Sequence, residues 1–321
     1  MINGELIDLV AGDYEARIAT SGATLVHLRR AGSDLVIPFD AEASLPEGWQ
    51  GKTLVPWPNR IVGARYAYRG QEYPVPCNEP ETGSALHGLV GWADFQVVAT
   101  SAGDDAVGDA PSSVALELTL PGSYAYPWSL QVDVRFALDA RAGLTVAATT
   151  TCLGAGAPAA PDAVGAPESD GLLAPAPYGV SFHPYLTRSV PLDECVLQVP
   201  AARVLDVDER MAPAAERDVA GTDWDWRAGR PVGTISTDNA YTGLPQGPWE
   251  VRLTGGEAGS TVVLSAEAPW VQVYTAEHLG RRGVAVEPMT CPPDAFNSGR
   301  DLVELAVGRT HSFSYSLRED D

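Results

Sequence analysis

From Leu130 to Leu138 every second residue is apolar: Leu130, Val132, Val134, Phe136 and Leu138 alternate with Gln131, Asp133, Arg135 and Ala137. Successive side chains of an extended chain point to opposite faces, so this spacing specifies a strand with one buried and one wet face. The same period returns at Val114, Leu116, Leu118 and Leu120, at Val271 and Val273, and at Phe313, Tyr315 and Leu317. Gly, Pro and Asp turn signals lie between these runs. No segment of a dozen residues carries the apolar stripe of a helix. Many short strands punctuated by 32 Gly and 26 Pro predict stacked antiparallel sheets. Alternating β-α units would show their crossover helices. The expected fold class is therefore all-β, a large antiparallel β-sandwich.

A chain of 321 residues has the length of two average domains, yet sandwiches and barrels often exceed 200 residues as one unit. One stretch breaks the strand rhythm: 154–177 is rich in Ala, Pro and Gly and nearly free of large side chains, too poor in apolar surface to order itself strongly. The strand pattern resumes unchanged after it, which favours an extended surface loop over an interdomain linker. The expectation is a single domain, 1–321, carrying a flexible loop at about 154–177.

Acidic residues outnumber basic ones by 42 to 21, and the net charge of −21 repels phosphate backbones and anionic lipid surfaces. Nucleic acid and membrane partners are not expected. Cys77, Cys152, Cys195 and Cys291 are far apart, with no C-x-x-C pair and no clustered histidines to suggest zinc. Residues 1–19 lack a basic n-region and a continuous apolar stretch, and the reading is a cytoplasmic protein, monomer or homodimer.

The chain has no G-x-S-x-G elbow, no H-E-x-x-H, no phosphate-binding loop and no G-x-G-x-x-G after a strand. What remains are polar residues lodged among aromatics and prolines. In Gly51 to Ile61, two prolines brace a non-helical segment presenting Trp57, Asn59 and Arg60. The five donors of Arg60 suit vicinal hydroxyls, and a structural ion pair accounts for it equally well. Lys52 is the only lysine, which reads as a coding bias towards Arg. In Leu86-His87-Gly88, on spacing alone, His87 reads as a satisfied structural histidine. His183, in Ser181-Phe-His183-Pro-Tyr185, is held extended by Pro184 at the end of the Ala/Pro stretch. An imidazole titrating near its ordinary value of roughly 6.5 suits a proton donor. Glu287 ends the alternating run Gly283 to Val286 ahead of a proline, where partial desolvation raises a carboxyl pKa and makes it a usable base.

Taken in order, NRI, LHG, HPYL, TDNAYTGL, VQVYTAEH and VAVEPMTCPPDAFN resemble the aldose 1-epimerase (galactose mutarotase) family over roughly residues 50 to 300. The resemblance implies a galactose mutarotase-like β-sandwich and exchange of the α and β anomers of a free hexose. It places the ring-oxygen acid on His183 and the base for the anomeric hydroxyl on Glu287. It puts sugar binding on Asn59, Arg60, His87, Asp238 and Gln272, with a small-molecule sugar as partner and no cofactor or metal. The 154–177 stretch and the spellings PWPNRI and HPYL depart from the galactose enzymes and leave room for another hexose or an anionic sugar such as sulfoquinovose or a hexose 6-phosphate. Arg65 and Arg188 are the candidate cations for such a substrate, Trp57 and Trp92 the candidate apolar wall. A non-catalytic carbohydrate-binding module on the same fold is the other alternative.

Overall fold

The computed structural model describes residues 2–103, 110–155, 174–256 and 259–320. The alternation read from sequence forms the strands it predicts. In Trp128–Asp139 the side chains of Trp128, Leu130, Val132, Val134, Phe136 and Leu138 are buried, and their neighbours are not. Val271 and Val273 are buried in Trp270–Tyr274, and Phe313, Tyr315 and Leu317 in Thr310–Asp320. Among the described residues the one α-helix is the four-residue Ala295–Ser298, and no helix is long and apolar enough to cross a membrane.

Two large antiparallel sheets form the sandwich. Nine strands run in the order Gln96–Ser101, Ser113–Leu120, Trp128–Asp139, Gly143–Ala155, Thr310–Asp320, Thr261–Ala266, Trp249–Thr254, Val196–Gln198 and Arg230–Pro231. The eight-stranded sheet runs Pro213–Asp218, Arg203–Val207, Asp238–Thr242, Trp270–Tyr274, Gly283–Met289, Ser181–Phe182 and Thr53–Leu54, with Tyr185–Thr187 also paired to Gly283–Met289. Four strands at the start of the chain, from Leu6–Ala11 to Ser33–Asp34, make a smaller sheet.

One apolar core joins the sheets, with Val132, Val146, Leu264 and Phe313 from the first and Val204, Val271, Val273, Val284 and Val286 from the second. Phe182 bridges the layers directly, its ring centroid 6.0 Å from Phe313 and 5.0 Å from Tyr315. Burying each such side chain contributes about 1.5 to 3 kcal/mol, which enforces the alternation on strands such as Trp128–Asp139 that have one buried face.

Most of the expected 154–177 loop lies outside the described residues, and its two ends are strands. Gly154 and Ala155 finish Gly143–Ala155, while Ala176 and Pro177 belong to Ala176–Tyr178, which pairs with Val303–Leu305. Ala176 and Tyr178 are fully buried, and the Trp128 indole donates to the Ala174 carbonyl at 2.9 Å. Tertiary partners supply the apolar surface that the segment itself lacks.

Candidate active site

Since one face of the eight-stranded sheet is committed to the core, strand alternation puts the intervening residues on the other face. On Gly283–Met289, Val284 and Val286 enter the core and Glu287 faces away. On Trp270–Tyr274, Val271 and Val273 do the same and leave Gln272 and Tyr274 opposite; on Asp238–Thr242, Tyr241 enters the core and Asp238 does not. Register brings these strands together, Gln272 opposite Glu287 and Asp238 opposite Tyr274.

His183 occupies the break between Ser181–Phe182 and Tyr185–Thr187, which both pair with Gly283–Met289. Its backbone N–H donates to the Lys52 carbonyl at 3.0 Å and its carbonyl accepts from the Gly51 N–H at 2.9 Å. So anchored, the imidazole stacks on Tyr185 with centroids 4.9 Å apart and brings Nε2 to 3.3 Å from Glu287 Oε1. Both residues are buried.

Asn59 and His87 clamp each other. The His87 backbone N–H donates to the Asn59 carbonyl at 2.8 Å, and the Asn59 N–H donates to His87 Nδ1 at 3.2 Å. Both residues adopt positive φ, 51° and 63°. The following Gly88 has φ 74°, and a Cβ there would lie 2.2 Å from the Val55 carbonyl oxygen, so the close approach requires glycine. With Nδ1 accepting, the neutral imidazole of His87 carries its proton on Nε2 and is a donor. His87 is thus a structural histidine at one nitrogen and a free donor at the other.

These side chains enclose a cavity of about 300 Å³, at the small end of the range for ligand pockets, lined by Asn59, Arg60, His87, His183, Asp238 and Glu287 among others. Six of the seven site residues expected from sequence therefore meet in one place. Gln272 stands behind them: its amide nitrogen donates to Asp238 Oδ1 at 2.7 Å, and it is not part of the lining.

Several expectations need correction. For Arg60, where a fork for hydroxyls and a structural ion pair stood equally, the ion pair is found: its Nε and Nη2 each donate to a carboxylate oxygen of Glu79 at 2.7 Å, although Arg60 still lines the cavity. Glu79 lines the same cavity and was missed, since nothing local marks an exposed-looking glutamate as the partner of an arginine 19 residues away. Trp57 is buried against Phe296 and Trp92 is half exposed; neither lines the cavity. Its aromatic surface comes from Trp49, Tyr185 and Tyr274, with His278 beside them. Arg65 and Arg188 do not line it either: Arg188 pairs with Glu319 at 2.8 Å in a different part of the molecule.

Burial dominates the electrostatics. It depresses the His183 pKa to about 3 and pushes that of His87 well below the usual imidazole range. The expectation of a near-neutral imidazole at His183 is overturned: desolvation penalises the cation. Burial, reinforced by the charge of Asp238, drives the Glu287 carboxyl well up, with Arg60 opposing. Asp238 is also raised by burial against the pull of Arg60 and the Gln272 hydrogen bond. The free site thus favours a neutral imidazole beside a protonated carboxyl, two groups with one transferable proton between them. His183 Nδ1 and Glu287 Oε2 are buried without hydrogen-bond partners among the described residues.

His87, His183 and Glu287 offer donor atoms within 4.8 Å of one another, close enough for a metal ion. The hydrogen bond at His87 works against that use. A ligating imidazole donates its second N–H to an acceptor, and here the second nitrogen meets the Asn59 N–H instead.

The molecule is thus an all-β sandwich with a buried histidine–carboxyl pair in a small polar pocket. The chain belongs to the aldose 1-epimerase family, whose model matches residues 5–159 and 167–318. It is 38% identical over 316 residues to the uncharacterized protein YihR of Escherichia coli (strain K12), covering 98% of this chain and 93% of that one. The GalM/aldose epimerase homologue from C. elegans superposes with a TM-score of 0.78 at 20% identity, covering 98% of each chain. Galactose 1-epimerase from Lactobacillus acidophilus gives 0.77 at 16% identity, covering 96% of this chain and 92% of that one. A galactose mutarotase-like protein from Clostridium acetobutylicum gives 0.80 at 15%, covering 98% and 94%. At these identities the solved structures share the fold.

Proposed function

We propose that the chain is an aldose 1-epimerase acting on a neutral free hexose, with His183 and Glu287 as its acid–base pair. The observation that carries this reading is the 3.3 Å approach of His183 Nε2 to Glu287 Oε1 inside the cavity. Both groups then reach the ring oxygen and the anomeric hydroxyl of one pyranose.

The single shared proton is sufficient for the chemistry. Sugar hydroxyls bonding to Glu287 favour its carboxylate, so the proton moves to His183. His183 Nε2–H then protonates the ring oxygen as Glu287 takes the proton from O1. The bond from C1 to the ring oxygen breaks and a C1=O1 aldehyde forms. Rotation about C1–C2 and the reverse steps close the ring on the other face and return both protons. Acid and base assistance each contribute roughly 10² to 10⁴-fold. Asp238 accepts from ring hydroxyls, His87 Nε2–H donates to one, and Trp49 offers an apolar face to the C–H side of the ring.

A neutral substrate fits the charge of the lining. Arg60 is the cavity's arginine and is neutralised by Glu79, while Asp238 adds a further carboxyl. Among the described residues, a phosphate or sulfonate would meet no uncommitted guanidinium in that lining. Polarimetry on freshly dissolved α-glucose, α-galactose and glucose 6-phosphate tests the reading. The expectation is acceleration of the neutral sugars and little of the phosphate. Sugar binding without acceleration of any of them would make the chain a binding module instead.

A further inference from the structure

We propose that Lys52 is a positioning residue of this sugar site, its ammonium holding Trp92 from outside the cavity against Trp49, which lines it. The inference rests on the sugar-site reading above and adds to it a residue that touches neither substrate nor the reacting atoms.

Lys52 is the only lysine of 321 residues and is fully buried. Its Nζ has one hydrogen bond, to the Ser21 carbonyl at 3.1 Å, and no carboxylate partner among the described residues. A buried ammonium with so little compensation is costly. The face of the Trp92 indole provides the rest, with Nζ 4.2 Å from the ring centroid. Burial accordingly depresses the Lys52 pKa to about 8. The aliphatic stem is seated tightly, since a Cβ on Gly22 would lie 2.8 Å from Lys52 Cδ.

From Trp92 the contacts run inward. Its ring lies 5.5 Å from Trp49, Trp49 meets His87 edge-on at 5.2 Å, and His87 meets His183 edge-on at 5.1 Å. Trp92 is 48% exposed, so its outer side gives it little fixation. Lys52 packs on one face of it and Trp49 on its flank, and Trp49 in turn lines the cavity. The backbone of Lys52 also accepts from the His183 N–H, a bond that survives side-chain substitution. A change of side chain therefore leaves that anchor of His183 in place and removes the contact with Trp92 together with the bond to Ser21, and Trp92→Leu separates the two.

The test compares Lys52→Met, Lys52→Arg, Trp92→Leu and the Lys52→Met/Trp92→Leu double variant, by mutarotation kinetics on the sugar the wild type prefers and by tryptophan emission without sugar. In Lys52→Met, KM rises about tenfold with kcat within threefold, and the emission maximum moves. Lys52→Arg keeps a cation over the ring and restores KM to within threefold of wild type. The double variant is no worse than the poorer single one, because both remove the same contact. Should Lys52→Met not fold, Trp92→Leu breaks that contact from the solvent side and gives the same KM rise. An unchanged KM in Lys52→Met, or in Trp92→Leu where that variant stands in for it, or additive effects in the double variant, overturns the inference alone. A wild type inactive on every sugar overturns the functional reading and this inference with it.

Discussion

Gln272 donates to Asp238 Oδ1 at 2.7 Å from a neighbouring strand, with Glu287 directly across from it on the other side. One amide thus fixes the carboxylate expected to hold the sugar, without reaching the cavity. A hydrogen bond to a charged group is worth about 1.5 to 3 kcal/mol. Gln272→Leu should therefore raise KM roughly ten- to hundredfold while kcat stays within about threefold, as measured by initial-rate polarimetry. An equal loss in kcat would place Gln272 in the chemistry instead.

The acid–base pair is tested by substitution on each side. Glu287→Gln and His183→Ala should each lower kcat by roughly 10² or more, since each removes one proton-transfer partner. Circular dichroism should show the same β signature in both. Full activity in either variant would reject the roles assigned here.

The pH profile of the pair follows from its two opposed shifts. Activity requires the pair to hold one proton, and it gains a second only when His183 titrates in the free protein, at about 3. Thus kcat/KM should not fall as pH drops through 6.5 towards 5. A decline centred near 6.5 would mean that His183 behaves as an ordinary exposed imidazole.

Folding stability carries a related signature with its own sign. Burial holds His183 at about 3 and His27 at about 4, and also depresses His87, so below 6.5 each of these histidines binds more protons unfolded than folded, while Glu287 and Asp238, raised by burial, act in the opposite sense. The histidine contribution is fully present above 6.5 and is lost as pH falls from there towards the folded values. Each fully depressed histidine contributes a slope of at most about 1.4 kcal/mol per pH unit in that window. Urea unfolding of wild type and His27→Gln between pH 7.5 and 5 isolates the His27 share: as pH falls, the variant should lose less stability than the wild type, because the proton uptake of His27 is gone. Identical slopes in the two proteins would exclude His27 from the effect.

The two tryptophans of the sequence neighbourhood should separate cleanly. Trp49→Ala removes cavity wall and should raise KM at least about tenfold. Trp57 is a core residue against Phe296, so Trp57→Ala should cost about 3 to 5 kcal/mol of stability. Trp57→Phe should retain wild-type KM. Thermal denaturation and kinetics on the same samples distinguish the two.

Alternation along the chain carried the strands, the all-β class and the inward set at Leu130 to Leu138, because a pleated backbone and a single buried face leave no other arrangement of those side chains. Motif order carried the family and the residues from Asn59 to Glu287. The local chain did not show Glu79 across from Arg60, Trp49 in place of Trp57 and Trp92, Gln272 behind Asp238, or the depth at which His183 is buried. A residue's partner and its degree of desolvation are set by elements far away in sequence, brought close only when the sheets pack. Periodicity reports which way a side chain points; what it meets there, and hence its charge state, belongs to the assembled sandwich.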